Sequence, residues 1–169
     1  ASITGTTTIC SGGNTTLTAN GGTSGTGSTY QWGTGSTVGS NIIAGETGVS
    51  YTTGALTTAT TYWVRRIDSA PCSTTTGGVT ATVTVNTQPA TPTITAGGTT
   101  TFCSGGSVLL SSSSITGNQW YKDGSPISGV TGQTYSASTS GSYTVIVTSG
   151  GCSSLASAAT VVTVNPIPA

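Results

Sequence analysis

Charge is what this sequence has least of: three basic and three acidic side chains in 169 residues, or 4% of the chain. They are Arg65, Arg66, Lys122, Glu46, Asp68 and Asp123. So sparse a set excludes nucleic acid as a partner, because affinity there is built from many Lys and Arg contacts to phosphate. It also excludes electrostatic docking on a membrane surface. Histidine is absent. With one lysine, three carboxylates and no histidine, general acid–base catalysis has almost no groups to work with, and serines are not nucleophiles without a base. The chain reads as non-catalytic and without a cofactor. No apolar run approaches the roughly 18 residues of a membrane span, so membrane insertion is not expected. Ala1 opens without the charged and apolar regions of a leader, which reads as a mature or excised fragment.

Metal chemistry is equally short of ligands. The cysteines are isolated, no Cys-x-x-Cys occurs, no histidine completes a zinc site, and the carboxylates are too scattered for calcium. The Gly-rich string GGTSGTGS at 21–28 lacks the Lys-Ser/Thr and the following helix of a phosphate loop.

What the chain does have is serine and threonine, roughly two residues in five, with 26 glycines and four cysteines. Hydrophobic content of 33% and aromatic content of 6% can fill only thin cores. The pattern is doubled. TTTFCSGGSVLLSSSS…NQWYKDG, from Thr99, has its counterpart in TTTICSGGNTTLTANGG…STYQWGTG near the start. Each copy offers a cysteine, a Gly-Gly turn, a short alternating strand, a Ser/Gly/Thr loop and a tryptophan on the next strand, which is how a stapled β-sandwich begins. Two domains are expected, 1–86 and 93–169, joined by a Pro-bearing connector at 87–92.

Period-2 alternation places the strands. The first pair is Ser2-Ile3-Thr4 and Thr93-Ile94-Thr95, followed by NTTLTA from Asn14 and SVLLSS from Ser107. Tyr30-Gln31-Trp32 and Gln119-Trp120-Tyr121 form the third pair, the latter leading into a Lys122-Asp123-Gly124-Ser125 hairpin signal. Strands around Tyr51 and Tyr135 come next. TTYWVRRI from Thr60 matches GSYTVIVT from Gly141, so Tyr62, Val64, Tyr143 and Val145 face the core while Trp63, Arg65 and Ile67 face away. GVTATVTVN and AATVVTVN close the copies. Set end to end, VNPIPA and ASITG reproduce the internal VNTQPATPTITAG, which predicts a head-to-tail array.

Four cysteines allow three connectivities, and the simplest bridges each repeat internally, Cys10 to Cys72 and Cys103 to Cys152. Each such loop would contribute about 4 kcal/mol in the chain-entropy model. Bridges between subunits are the alternative. Paired cysteines in a thin-cored β protein favour an oxidising location, extracellular or periplasmic, and the expectation carried forward is extracellular, at the cell surface.

FCSGGSVLLSSSS…QWYKDGSPISGVTGQTYSASTSGSYTVIVTSGGCS resembles the immunoglobulin-like repeats of large secreted Bacteroidota surface proteins, including gliding-motility adhesins and type IX secretion cargo. The resemblance covers Pro92 to Asn165 closely and Ser2 to Asn86 more loosely. It implies an all-β architecture of two tandem immunoglobulin-like sandwiches, about seven strands and one disulfide each. It also implies a role as a stalk or adhesin module. The cysteines depart from the antibody pattern: Cys103 precedes the second strand and Cys152 follows the sixth, so the bridge is expected at one pole. The tyrosine-corner motif is expected to be absent, whereas Trp32 and Trp120 hold the third-strand core position.

Two functional expectations follow. The first is a non-catalytic building block of an extracellular fibre or cell-surface adhesin stalk, with copies of itself or neighbouring repeats as partners, assembled head-to-tail. The alternative is a carbohydrate-binding or adhesive module, with surface glycans as partners, using Trp63 beside Arg65 on an outward face and, more weakly, Tyr121. Trp63 covered by its own domain's loops or by the adjacent domain is the competing structural reading. Asp68-Ser69-Ala70 resembles the Asp-Ser/Thr-aliphatic signal of Bacteroidota O-glycosylation, which makes Ser69 a candidate glycan site.

Overall fold

The computed structural model describes residues 2–21, 27–69, 75 and 77–168. The chain divides into two compact units, Ala1–Thr87 and Gln88–Ala169.

Unit 1 contains β1 (Ser2–Thr4), β2 (Thr8–Cys10), β3 (Thr16–Asn20), β4 (Thr29–Thr34), β5 (Ser50–Thr52), β6 (Thr60–Ile67) and β7 (Val79–Asn86). One sheet has the order β1-β3-β5 and the other β2-β7-β6-β4. All pairs are antiparallel except β2 with β7, where Thr8, Ile9 and Cys10 lie opposite Thr84, Val85 and Asn86. Alternation decides which side chains meet between the sheets. Leu17 and Ala19 of β3 turn inward to join Trp32, Tyr62, Val64 and Val83 in one buried cluster.

The outward positions explain how so uncharged a chain covers its sheets. Thr16 pairs through hydroxyls with Thr52 at 2.9 Å, Thr18 with Ser50 at 3.0 Å, and Thr61 with Thr82 at 2.8 Å. Cross-strand hydroxyl pairs of this kind stabilise a ladder without charge.

Unit 2 repeats the plan. Its strands are β8 (Ile94–Ala96), β9 (Thr101–Cys103), β10 (Val108–Ser112), β11 (Asn118–Lys122), β12 (Ser125–Pro126), β13 (Thr134–Ala137), β14 (Gly141–Ser149), β15 (Cys152–Ser153) and β16 (Thr160–Asn165). The sheets run β13-β10-β8 and β12-β11-β14-β16-β9, with β15 paired to β14. Val108, Leu110, Trp120, Ala137, Tyr143, Val145 and Val162 fill the interior. The inward placement of Tyr62, Val64, Tyr143 and Val145, with Trp32 and Trp120 in the core, agrees with the alternation read from the sequence. The β11–β12 turn is the expected Asp-Gly hairpin: Asp123 and Gly124 have φ of 50° and 80°, a pair of left-handed residues that Asp and Gly adopt at low cost. The Asp123 carboxylate accepts the Ser142 N–H at 2.8 Å, so it serves the turn.

One side of β14 is closed by serine hydroxyls where β16 does not reach. On β14, β16 pairs with Gly141, Ser142 and Tyr143 alone. Beyond that point Val145 N–H donates to Ser157 Oγ at 3.1 Å and Val147 N–H to Ser154 Oγ at 3.0 Å. The N–H groups of Ser157 and Ser154 return bonds to the carbonyls of Val145 and Val147. Buried backbone donors are thus satisfied without a strand.

The cysteine pairing expected within unit 2 does not form. Cys103 is exposed and free, whereas Cys10 and Cys152 each take part in a disulfide; Cys72 lies outside the described residues. The sheet register gives the reason. Cys103 sits opposite Asn165, three residues past the Val162–Gly141 pair, while Cys152 sits opposite Ser149 at the far end of β14. About eleven strand steps separate the two levels, or ~36 Å, against the roughly 4.4–6.8 Å between Cα atoms that a disulfide needs. The two cysteines occupy opposite poles of the unit, so a one-pole staple is corrected to none in this unit.

The tyrosine corner, expected to be absent, is present. Near the start of β14, Tyr143 Oη donates to the Thr139 carbonyl at 2.9 Å, four residues upstream, and lies 3.0 Å from the Thr139 hydroxyl. This is the corner contact of sandwich folds, formed independently of any cysteine two residues beyond the tyrosine.

Candidate functional site

Trp63, the residue that alternation offers as an outward recognition surface, is instead closed within its own unit. It lies on the face opposite Tyr62, as alternation requires, but is fully buried. Three neighbours cover it. Gly33, directly across the β4–β6 ladder, brings bare backbone beneath the indole, where a side chain would collide with the ring. The indole N–H donates to the Ser40 carbonyl at 2.8 Å, which ties the following loop over the ring. The Arg65 guanidinium sits 5.6 Å from the ring centroid, and its Nε donates to Gln31 Oε1 at 2.7 Å. Trp63 and Arg65 are indeed adjacent, but as a closed stack. The signal that could have shown this is Gly33 itself, since a glycine inside a strand marks close approach of another group.

Tyr121 is half-buried on β11, between Pro126 and Thr144 in the register. Ser69 is exposed, one residue past Asp68, and Ala70 of the same triplet lies outside the described residues. Asp68 is engaged: its Oδ1 lies 2.7 Å from Arg66 Nε and accepts the Ser28 hydroxyl at 2.9 Å, while Oδ2 accepts from Arg66 Nη2 at 3.1 Å. A two-pronged Arg–carboxylate pair of this kind fixes both side chains. With Asp123 held in its turn, Glu46 is the carboxylate left, and it lies close enough to Tyr51 to disfavour that phenol's ionisation. Among the described residues no group of three His, Cys, Asp or Glu side chains could hold a metal ion, and no helix is long and apolar enough to cross a membrane.

Each interior is built on the same three rings. Trp32 and Tyr51 lie 5.8 Å apart between centroids and Tyr51 and Tyr62 5.6 Å; Trp120 and Tyr135 lie 6.0 Å apart, and Tyr135 and Tyr143 5.6 Å. Both core indoles donate at 2.9 Å to a loop carbonyl, Trp32 to Gly48 and Trp120 to Gly132. Burial pushes the Tyr51, Tyr62 and Tyr135 phenols up; the smaller second contributions come from Glu46, Tyr51 and Tyr143 in that order. The rings act as packing, with tilted arrangements favoured by their quadrupoles.

A feature the sequence did not reveal lies at the Cys103 pole of unit 2. An open groove of about 240 Å³ is lined by Gly97, Gly98, Phe102, Gly106, Val108 and Leu109 among others.

Comparison with known proteins follows the architecture. No curated protein matches the chain. The fibronectin(III)-like modules of Clostridium thermocellum CbhA share 13% identity at a TM-score of 0.55, over 98% of this chain and 95% of that one. A marsupial T cell receptor shares 16% identity at a TM-score of 0.55, over 100% of this chain and 74% of that one. At such identities the likeness is one of fold alone. The model of Ig-like domains described as CHU_C associated matches twice, at residues 1–86 and 89–166, and the chain therefore belongs to that family, with two copies in tandem.

Proposed function

We propose that this chain is a non-catalytic structural building block of a bacterial extracellular fibre or cell-surface adhesin stalk, assembled head-to-tail. The observation that carries the reading is duplication down to single side chains. Both units close their interiors with the same Trp–Tyr–Tyr cluster and the same indole-to-carbonyl bond. Repetition of a closed, rigid sandwich suits load-bearing spacers, in which each module contacts its neighbours and none needs a cleft. The charged side chains support the same view: Arg65 covers Trp63, Arg66 and Asp68 hold each other, and Asp123 holds its turn. Disulfide-bonded Cys10 and Cys152 favour an oxidising, extracellular location. Sugar recognition through Trp63 is not carried forward, because no face of the indole is open.

The test is electron microscopy of the purified chain at high concentration under oxidising conditions. Filaments with a repeat matching two domains are expected. Isolated two-domain particles at every concentration would remove the proposal.

A further inference from the structure

Asn20 is the one asparagine of the chain that precedes a glycine. It ends β3, exposed, opposite Ser2 of β1. Gly21 follows outside the strand with φ of 88°, and having no side chain it leaves its own nitrogen unshielded. Among the described residues the Gly21 N–H makes no hydrogen bond. What restrains the site is the Asn20 amide itself. Its Nδ2 donates to Thr4 Oγ1 and to the Thr18 carbonyl, the latter at 3.3 Å. Thr4 lies opposite Thr18 in the register, so the bond from Asn20 runs diagonally across the outer face of the β1–β3 pair, a reach that ladders allow.

We propose that Asn20 is a site of non-enzymatic deamidation whose rate the Thr4 hydroxyl governs. The co-reactant is water. The Gly21 nitrogen attacks Asn20 Cγ; the N–Cγ bond forms as the Cγ–Nδ2 bond breaks, and ammonia leaves with the Gly21 amide proton. Water then opens the cyclic imide at either carbonyl, giving aspartate or, with the main chain rerouted through Cγ, isoaspartate. Ring closure needs the side chain to rotate until Cγ meets that nitrogen, and the bonds to Thr4 and Thr18 hold it against the rotation. Reaction therefore proceeds from molecules in which the end of the β1–β3 ladder has frayed open. The product differs from its parent in charge and in shape. A carboxylate has no proton to donate, so Thr4 Oγ1 loses its donor, and an acidic group enters a chain of zero formal net charge. Isoaspartate also lengthens the main chain by a methylene at the last pair of the ladder, which loosens β1, whose Ile3 packs on the unit 1 core. The mark accumulates with the age of the protein and needs no enzyme.

The test incubates the full chain in mildly alkaline buffer and follows it by ion-exchange chromatography, intact mass and peptide mapping. A more acidic species is expected, with the mass gain of an amide-to-acid exchange, placed at residue 20 as a mixture of isoaspartate and aspartate. The other asparagines, each followed by a residue that carries a side chain, should stay intact over the same time. Thr4→Val keeps the shape and strand preference of the side chain but not the hydroxyl. Its conversion should quicken about threefold, within what one neutral hydrogen bond supplies, whereas Thr4→Ser should convert at the wild-type rate. In the aged species the β1 amides should lose hydrogen-exchange protection while those of β6 and β7 keep theirs. An Asn20 that stays intact in the folded chain while the urea-unfolded chain converts would overturn the proposal. So would a rate in Thr4→Val equal to that of the wild type, or conversion at another asparagine ahead of Asn20.

Discussion

Gly33 lies directly beneath the indole of Trp63, so close that a Cβ placed on it would overlap Cζ2 and Cε2 and stand 2.6 Å from Nε1. The pair faces each other across the β4–β6 ladder, so neither backbone can retreat without breaking strand pairing. Gly33→Ala is therefore expected to destabilise unit 1 by ~3 kcal/mol, the upper end of the usual ~1–3 kcal/mol for overpacking a dense interior. Hydrogen exchange checks this: amides of β4, β6 and β7 should lose protection while those of unit 2 keep theirs. Unchanged protection in β4 would refute the contact.

Trp63→Ala is a stability mutation on the same reasoning. Removing a fully buried indole costs about 3–5 kcal/mol, which is a large share of the stability of a small domain. The measurement is a urea melt followed by fluorescence of Trp32 and Trp120. A variant with wild-type stability would mean that Trp63 is exposed after all and would reopen surface recognition.

Ser157 supplies the bond partner that a strand would otherwise supply to Val145. Ser157→Ala leaves the Val145 N–H buried without an acceptor, at a cost of about 1–3 kcal/mol, and Ser154→Ala does the same to Val147. Because the two hydroxyls hold neighbouring points on one segment, the double variant should lose less than the sum of the singles, as expected for coupled sites. Full additivity in denaturant melts would argue that the segment is held by its backbone bonds alone.

These cases show what alternation can and cannot report. Tyr62, Val64, Tyr143 and Val145 were legible as core, and Trp63 as lying on the opposite face, because strand geometry alone fixes that much. Whether an outward ring is open depends on what crosses it, here Gly33 and the loop bearing Ser40, which no periodicity encodes. The short strands Thr8–Cys10 and Thr101–Cys103 were missed for a related reason. Each has only three residues, and each pairs in parallel with a strand at the far end of its own unit, so no local pattern marks it. That omission carried into the cysteines. The number of cysteines is legible in the sequence, but the poles of Cys103 and Cys152 are set by those parallel strands and by the register of β14, which no local pattern encodes.

Tyr143→Phe tests the corner that cysteine spacing failed to show. The phenol closes the turn before β14 by donating to the Thr139 carbonyl, and its loss should destabilise unit 2 by ~1 kcal/mol, the net worth of one such bond. The ring stays in place, so its contact with Tyr135 is retained. A shift in denaturation midpoint with an unchanged slope is the expected signature. No shift would mean that the hydroxyl exchanges its bond for water without loss.

The same rings make stability depend on alkaline pH. Burial raises the Tyr51, Tyr62 and Tyr135 phenols above the ordinary value of 10.0. Below that value the phenols are protonated in both states and contribute no slope. Above it the unfolded tyrosines release protons while the folded ones hold theirs. The unfolded state then binds fewer protons, and stability falls as pH rises until the folded phenols ionise too. No histidine is present to impose an earlier transition near neutrality. Urea midpoints measured from pH 8 to 11 in a Cys103→Ser background, which suppresses thiol exchange, should decline only beyond about pH 10, the unperturbed tyrosine value. Tyr135→Phe should flatten that decline, and a decline of equal steepness in the variant would show that the buried rings are not its source.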